Sequence, residues 1–213
     1  MKKIYISHSV QFNNVGLYGY NEAKNCMDIA NRLYGLLRGT NGVQAYICTQ
    51  EMKLDQIIQD SNSKNVDLHL AIHSNAGPSE ARGTETFCIP GGEAEKAARV
   101  IHANVVEAMK SINRGVKNGK HLKELNSTKA PAVLIELGFH TNEDDVKQLL
   151  YCKNNIAAAL YQGVIEYFNL KINWEQKVIN DALVKGVITE RRIPYASVTW
   201  AEFLAVLQKL NLF

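Results

Sequence analysis

The chain has 213 residues, of which 46% are hydrophobic and 21% are charged. This composition is typical of a globular protein and excludes a disordered tail, a collagen-like fibre and a coiled coil. The 24 basic and 21 acidic side chains leave a formal charge of +3 without a long basic run, so nucleic acid is not expected as a partner.

The N-terminal region carries no predicted targeting or membrane segment. A secretory signal needs an apolar stretch of about 7–15 residues, and here the stretch after Lys3 ends before polar His8. No apolar run approaches the ~20 residues that span a bilayer, so membrane insertion is not expected. We therefore expect a chain made in the cytoplasm that reaches any outside target by another route. Its four cysteines form no CxxC pair, which favours free buried thiols over disulfides or a cysteine zinc site.

Predicted strands and helices alternate along most of the chain. Short apolar runs predict strands, and apolar residues that recur at helical spacing predict helices. The predicted strands are residues 3–6, 43–47, 66–72, 84–89 and 132–135. The predicted helices are residues 21–37, 54–63, 93–109, 142–150 and 154–168. This alternation predicts an α/β fold: one twisted, mostly parallel sheet with helices on both sides and one antiparallel edge strand.

The last part of the chain differs in kind. Two amphipathic helices are predicted at residues 174–185 and 199–210, joined by an irregular link. A segment this short cannot bury much apolar surface alone, so it must dock on the α/β domain, pair with a second copy or bind a target. We therefore divide the chain into a domain at residues 1–170 and a small helical segment at residues 171–213.

Four polar side chains are predicted to meet at one edge of the sheet. His8 follows the first strand, His73 follows the third, and Glu136 follows the apolar strand at residues 132–135. Glu22 begins the first helix, whose N-terminus faces the same edge. In open α/β sheets, ligands bind beyond the carboxyl ends of the strands. The sequence thus predicts a polar site built by these four residues.

These residue types suit the hydrolysis of an amide by a metal ion. Two imidazoles and one carboxylate are the protein ligands of an open zinc site, which lowers the pKa of bound water toward ~7 and polarises a carbonyl. A second glutamate that does not bind the metal can take a proton from water and return it to a leaving nitrogen. Each residue also has a plainer interpretation, as a loop histidine or as a first-turn helix glutamate. The plainer interpretation fits Glu136 least well, because burying an acid after four apolar strand residues is costly unless the acid has a partner.

Two segments resemble a known family. Residues 67–76 read DLHLAIHSNA and are similar to the strand and HANA motif of zinc-dependent N-acetylmuramoyl-L-alanine amidases of the Amidase_3 type. Residues 83–86 (GTET), 114–117 (RGVK) and 131–142 (PAVLIELGFHTN) continue the resemblance in order, and the last of these is its most specific part. The match covers about residues 3–168.

The resemblance implies a fold, an activity and a site. It implies a sheet of about six strands flanked by helices, one zinc ion per chain held by His8, Glu22 and His73, and Glu136 as the catalytic glutamate. The implied substrate is the amide between N-acetylmuramic acid and L-alanine in peptidoglycan. Asn75, Glu85 and Arg114 are candidate substrate contacts. Without a signal peptide, the likeness implies a phage or prophage endolysin that reaches the wall after holin-type release or lysis.

Several alternatives stay open at this point. The chain could be another zinc peptidoglycan hydrolase, a carboxypeptidase or a deacetylase, although the motif at residues 131–142 argues against both. It could also be a non-catalytic peptidoglycan-binding protein on an amidase scaffold. For the C-terminal segment, wall attachment and self-association through its helices compete with simple packing on the first domain.

Overall fold

A computed structural model describes residues 1–172, 174–187 and 200–209 of the chain. Its strands are β1 (Lys2–His8), β2 (Val43–Ile47), β3 (Leu68–Asn75), β4 (Thr84–Cys88), β5 (Asn113–Asn118) and β6 (Ala132–Phe139). Its α-helices are α1 (Glu22–Arg38), α2 (Leu54–Ser63), α3 (Glu93–Met109), α4 (Lys123–Ser127), α5 (Glu143–Tyr151), α6 (Lys153–Tyr167), α7 (Trp174–Val184) and α8 (Trp200–Lys209). The fold is α/β, as predicted.

The six strands form one sheet in the order β2-β1-β3-β6-β4-β5. β1 pairs in parallel with β2 and β3, and β3 pairs in parallel with β6. β4 runs antiparallel to β6, and β5 runs parallel to β4. β4 and β5 thus both run opposite to the other four strands, and β5 forms one edge of the sheet. The sequence predicted one antiparallel strand at the edge, and the structure has a pair of strands there. The connection at residues 76–83 is shorter than the dozen or so residues that a parallel crossover needs.

Both faces of the central strands are buried. One face, with Ile6, Leu70 and Ile72, packs in the main core with residues of α1, α3 and α6. The other face packs against α2 and α4, where Ile57 and Leu125 belong to two smaller clusters. Burial on both faces is usual for parallel strands and explains their nearly continuous apolar sequences.

One strand and one α-helix were absent from the prediction. β5 has the sequence NRGVKN and α4 the sequence KELNS, and neither shows a clear apolar period. β5 lies at an edge of the sheet, and only Glu124 and Leu125 of α4 are buried, so neither element needs an apolar stripe.

Three strands extend further than predicted, which corrects the positions of three site residues. His8 is the last residue of β1, whereas the prediction placed it just after the strand. His73 lies within β3 and Glu136 lies within β6, because both strands continue past the end of their apolar runs. His73 and Glu136 are paired in the sheet, which is a tertiary interaction that local sequence does not reveal.

The sequence also predicted free cysteines, no membrane insertion and two C-terminal helices. All four cysteines are free, and Cys152 is only partly buried. No helix among the described residues is both long enough and apolar enough to cross a membrane. The two predicted C-terminal helices correspond to α7, which contacts α6, and to α8. The predicted link between them, at residues 188–199, lies outside the described residues.

Candidate active site

Acidic side chains and a histidine lie next to one another across three strands. His73 of β3 is in register with Glu136 of β6, and Glu136 is in register with Glu85 of β4. Alternate residues share a face, so His73 and Glu136 lie on the same side as Ala71 and Leu134, which belong to the cluster beneath α4. The sheet thus presents a polar row beyond that apolar cluster.

Glu22 reaches this row from the start of α1. Asn21 caps the helix by accepting a hydrogen bond from the Lys24 backbone N–H, which places Glu22 at the first helical position. The Glu22 side chain is almost fully buried, and its Oε1 lies 3.0 Å from Nδ1 of His73. Its Oε2 accepts a 2.6 Å hydrogen bond from Asn14. A carboxylate at this position is also favoured by the helix dipole.

His8 lies beside His73 on the neighbouring strand. It is in register with Ile72 and is 2% exposed. Its Nδ1 lies 3.0 Å from the Ser9 carbonyl oxygen, to which an Nδ1–H donates. Burial lowers the pKa of His8, and the nearby His73 lowers it further. A lowered pKa favours the neutral ring, which is the form that binds a metal.

The three predicted ligands have the donor chemistry of a zinc site. Two donors on one tetrahedral zinc ion lie about 3.3 Å apart, so the 3.0 Å between Glu22 Oε1 and His73 Nδ1 is close to a ligand pair. The Ser9 carbonyl leaves Nε2 of His8 as the basic nitrogen, an arrangement common behind zinc ligands. As the side chains stand, no three histidine, cysteine, aspartate or glutamate residues of the described part surround one metal position. The donor types fit a zinc ion, and Glu22 and His73 would have to move apart for the ion to bind.

The surroundings of His73 favour its positively charged form, in which both ring nitrogens are protonated. Burial alone would lower its pKa, but the hydrogen bond to Glu22 and the charges of Glu136 and Glu124 raise it to about 9. A metal ion bound by His73 must displace one of these protons, because only the neutral ring donates an electron pair.

Glu136 is partly buried, and one of its carboxylate oxygens is fully buried. Its Oε2 has no hydrogen-bond partner among the described residues. Burial raises the pKa of Glu136 to about 7; Glu22 and Glu85 raise it and His73 lowers it. A carboxyl group with a pKa near neutrality can both accept and release a proton at pH 7.

The three candidate substrate contacts form one network centred on Glu85. Asn75 donates a 2.8 Å hydrogen bond to Oε1 of Glu85, and Arg114 donates a 2.7 Å bond to Oε2. Lys117, which the sequence analysis did not single out, lies 2.5 Å from the same oxygen. Arg114 also lies over the ring of Phe139, 4.8 Å from its centroid. Two partly exposed cations thus share one buried carboxylate, which leaves a net positive charge beside the row.

The other histidines occupy supporting positions. His69 is fully buried, and its Nε2 lies 2.9 Å from Oε1 of Glu124. His140 hydrogen-bonds Ser74 through Nδ1 at 3.0 Å and stacks on Tyr20. Glu124 was not predicted from the sequence, because nothing in its polar surroundings indicates a buried acid. The only available signal was His69 itself, which faces away from Leu68 and Leu70 and needs a polar partner.

Comparisons with known proteins identify the family of the chain. A family model described as N-acetylmuramoyl-L-alanine amidase (Amidase_3) matches residues 7–166. Among curated relatives, the uncharacterized protein YqiI of Bacillus subtilis is 29% identical over 136 residues, which are 62% of this chain and 66% of YqiI. The N-acetylmuramoyl-L-alanine amidase LytC of Bacillus subtilis is 27% identical over 151 residues, which are 67% of this chain and 30% of LytC. The chain thus spans less than two thirds of either relative.

Solved structures show the same fold. An N-acetylmuramoyl-L-alanine amidase from Clostridium difficile 630 superposes with a TM-score of 0.73 and 22% identity, covering 80% of this chain and 98% of that one. The catalytic domain of the CD27L endolysin targeting Clostridia difficile has a TM-score of 0.67 and 28% identity, covering 81% and 100%. The family model spans most of the chain and includes every candidate site residue. The chain therefore belongs to the N-acetylmuramoyl-L-alanine amidase family.

Proposed function

We propose that the chain is a zinc-dependent N-acetylmuramoyl-L-alanine amidase that cleaves the bond between N-acetylmuramic acid and L-alanine in peptidoglycan. The observation that carries the proposal is the position of Glu136 beside His73, which contacts Glu22. The buried Oε2 of Glu136 has no hydrogen-bond partner among the described residues. Membership of the amidase family supports this choice of substrate. The likeness to the catalytic domain of an endolysin supports a role in wall lysis.

His8, Glu22 and His73 would hold the zinc ion. When bound, the ion supplies a Lewis acid that polarises the amide carbonyl and lowers the pKa of water. Its binding requires Nδ1 of His73, which lies 3.0 Å from Oε1 of Glu22, to be free of a proton.

Glu136 moves the proton in the proposed reaction. Its ionised carboxylate accepts a proton at Oε2 as water adds to the lactyl carbonyl carbon. The same carboxyl then delivers the proton to the alanine nitrogen as the carbon–nitrogen bond breaks, which releases a free amine and a free carboxyl group. Glu136 returns to its starting state, and its pKa of about 7 suits both transfers.

The Glu85 network would bind the substrate beside this centre. Stem peptides of peptidoglycan carry carboxylate groups, and Arg114 and Lys117 present two cations held in place by Glu85. An arginine held by a carboxylate and an aromatic ring is well oriented to bind a second carboxylate.

A wall digest with two variants tests the proposal. The Glu136→Ala variant is expected to keep its zinc but to lose at least about 100-fold in turnover, because the proton carrier is gone. The His73→Ala variant is expected to lose both zinc and activity. The measurements are zinc content of the purified protein and release of new alanine N-termini and muramoyl lactyl carboxyls from purified wall.

A matched control is Glu107→Ala, which removes an exposed carboxylate from α3 and should change neither readout. If the unaltered chain binds wall but releases no alanine N-termini, it is a binding protein and the proposal is wrong. Release of terminal stem-peptide residues or of acetate would indicate a carboxypeptidase or a deacetylase instead.

A further inference from the structure

A buried polar cluster lies behind the site and has no part in the proposed reaction. Glu124 of α4 is 5% exposed and His69 of β3 is fully buried. Both lie beside the apolar cluster of Ala71, Leu125 and Leu134. Burying an acid and a histidine together is no more stabilising than filling the same space with apolar side chains, so packing alone does not account for the pair.

The cluster holds the Glu124 carboxylate in one orientation. Its Oε1 lies 2.9 Å from Nε2 of His69. The His69 ring is fixed in turn, because its Nδ1 lies 2.9 Å from Oγ of Ser61 and it stacks on Tyr5 at 5.4 Å with an interplanar angle of 10°. Because His69 holds one carboxylate oxygen of Glu124, the direction of the other oxygen is fixed as well.

That second oxygen faces His73. Oε2 of Glu124 lies 3.9 Å from Nε2 of His73, while Nδ1 of the same ring faces Glu22. The 3.9 Å gap is longer than a hydrogen bond, and a bridging water or a shift of about 1 Å would close it. An acceptor at Nε2 keeps the proton of a neutral ring on that nitrogen, which leaves Nδ1 free to donate its electron pair.

We propose that Glu124 is a positioning residue that acts through His73: its carboxylate, anchored by His69, holds the His73 ring with Nδ1 directed at the zinc ion. This inference rests on the proposed function, because it presumes that His73 binds zinc. Histidine ligands commonly donate their second N–H to a carboxylate or a carbonyl, and loss of that partner costs about 10–100-fold in metal affinity. In this chain the Ser9 carbonyl is placed for that role behind His8, and Glu124 behind His73.

Zinc affinity, measured by competition with a chromophoric chelator, tests the inference. The His69→Phe/Glu124→Leu double variant replaces the whole pair by apolar side chains, so it should fold while its zinc affinity falls about 10–100-fold. Glu124→Gln keeps the shape and removes the charge, and a smaller fall is expected. Asp60→Asn is the control: Asp60 accepts a 2.9 Å hydrogen bond from Tyr5 on the far side of the His69 stack, so zinc affinity should not change.

The outcomes separate the inference from the proposed function. If the unaltered chain and the double variant bind zinc equally well, the inference is wrong and the amidase proposal stands. If the double variant does not fold, as judged by circular dichroism, Glu124→Gln decides, and an unchanged affinity in that variant overturns the inference. If the unaltered chain binds no zinc and cuts no wall, the amidase proposal fails and this inference fails with it.

Discussion

Glu136 is suited to proton transfer, but its ionised form destabilises the folded protein. The side chain is placed within β6 between His73 and Glu85, and the sheet offers its Oε2 no hydrogen bond. Burial therefore raises its pKa to about 7, so an ionised Glu136 destabilises the metal-free fold. Strain of this kind is common at functional sites, where activity is kept at the expense of stability.

Replacing Glu136 by glutamine should stabilise the metal-free protein in a pH-dependent way. The folded pKa lies above the unfolded value of 4.5, so stability falls as the pH rises from 4.5 to about 7 and then levels off. Glutamine does not ionise, so Glu136→Gln should gain about 3 kcal/mol relative to the unaltered chain at about pH 8 and under about 1 kcal/mol at about pH 5. Urea unfolding of chelator-treated protein at both pH values measures this difference. An equal effect at both pH values would contradict it, and Glu107→Gln is the exposed control.

At the scale of elements, α3 and α6 pack closely against each other. Both helices cover the same face of the sheet and contribute to the main core. A Cβ at Gly163 of α6 would lie 2.7 Å from Cα of Ile101 in α3. The two backbones meet here, so only glycine fits without moving one helix.

Gly163→Ala should therefore destabilise the protein by about 1–3 kcal/mol through overpacking. Gly35→Ala in the interior of α1 is the matched control, because a Cβ there meets no atom within 4 Å. That control should stabilise the protein by about 0.5–1 kcal/mol, since alanine loses less backbone entropy in a helix than glycine does. The midpoint of urea unfolding distinguishes the two signs. A neutral Gly163→Ala would show that α3 and α6 can separate at little cost.

At the scale of the whole molecule, every candidate site residue lies in the part of the chain that forms the sheet and its helices. The site draws on β1, α1, β3, β4, β5, α4 and β6. Leu170 and Ile172 still pack against the main core, so that core extends at least to Ile172. The division at residue 170 stays a prediction, as do the roles of wall attachment or self-association for the segment that contains α7 and α8.

A chain ending after Ile172 should keep its activity on soluble muropeptides within about twofold, because the core of the first domain is retained. The measurement is release of alanine N-termini from soluble and from sedimented wall substrates. Inactivity on soluble muropeptides would show that the C-terminal segment belongs to the catalytic fold. A selective loss on sedimented wall would support wall attachment, and a change in sedimentation velocity from the full chain would support self-association.

The sequence by itself determined the elements whose buried residues recur at a regular spacing. α2 and α3 begin and end at the predicted residues, because their apolar stripes and turn residues are local signals. The motifs around His73 and Glu136 also pointed to the family, which the comparison confirmed. The roles of His8, Glu22, His73 and Glu136 stay predictions, although the structure brings Glu22 into contact with His73 and sets Glu136 beside it.

Only the tertiary structure decided which polar residues meet. The extension of β3 and β6 through His73 and Glu136, the reversed direction of β4 and the burial of Glu124 against His69 all depend on contacts between distant segments. Glu124 and His69 are 55 positions apart, and neither has a neighbour in sequence that marks it as a partner. Local periodicity indicates which face of an element is buried. Which two polar side chains contact each other depends on how the elements pack, and this packing exists only in the assembled sheet.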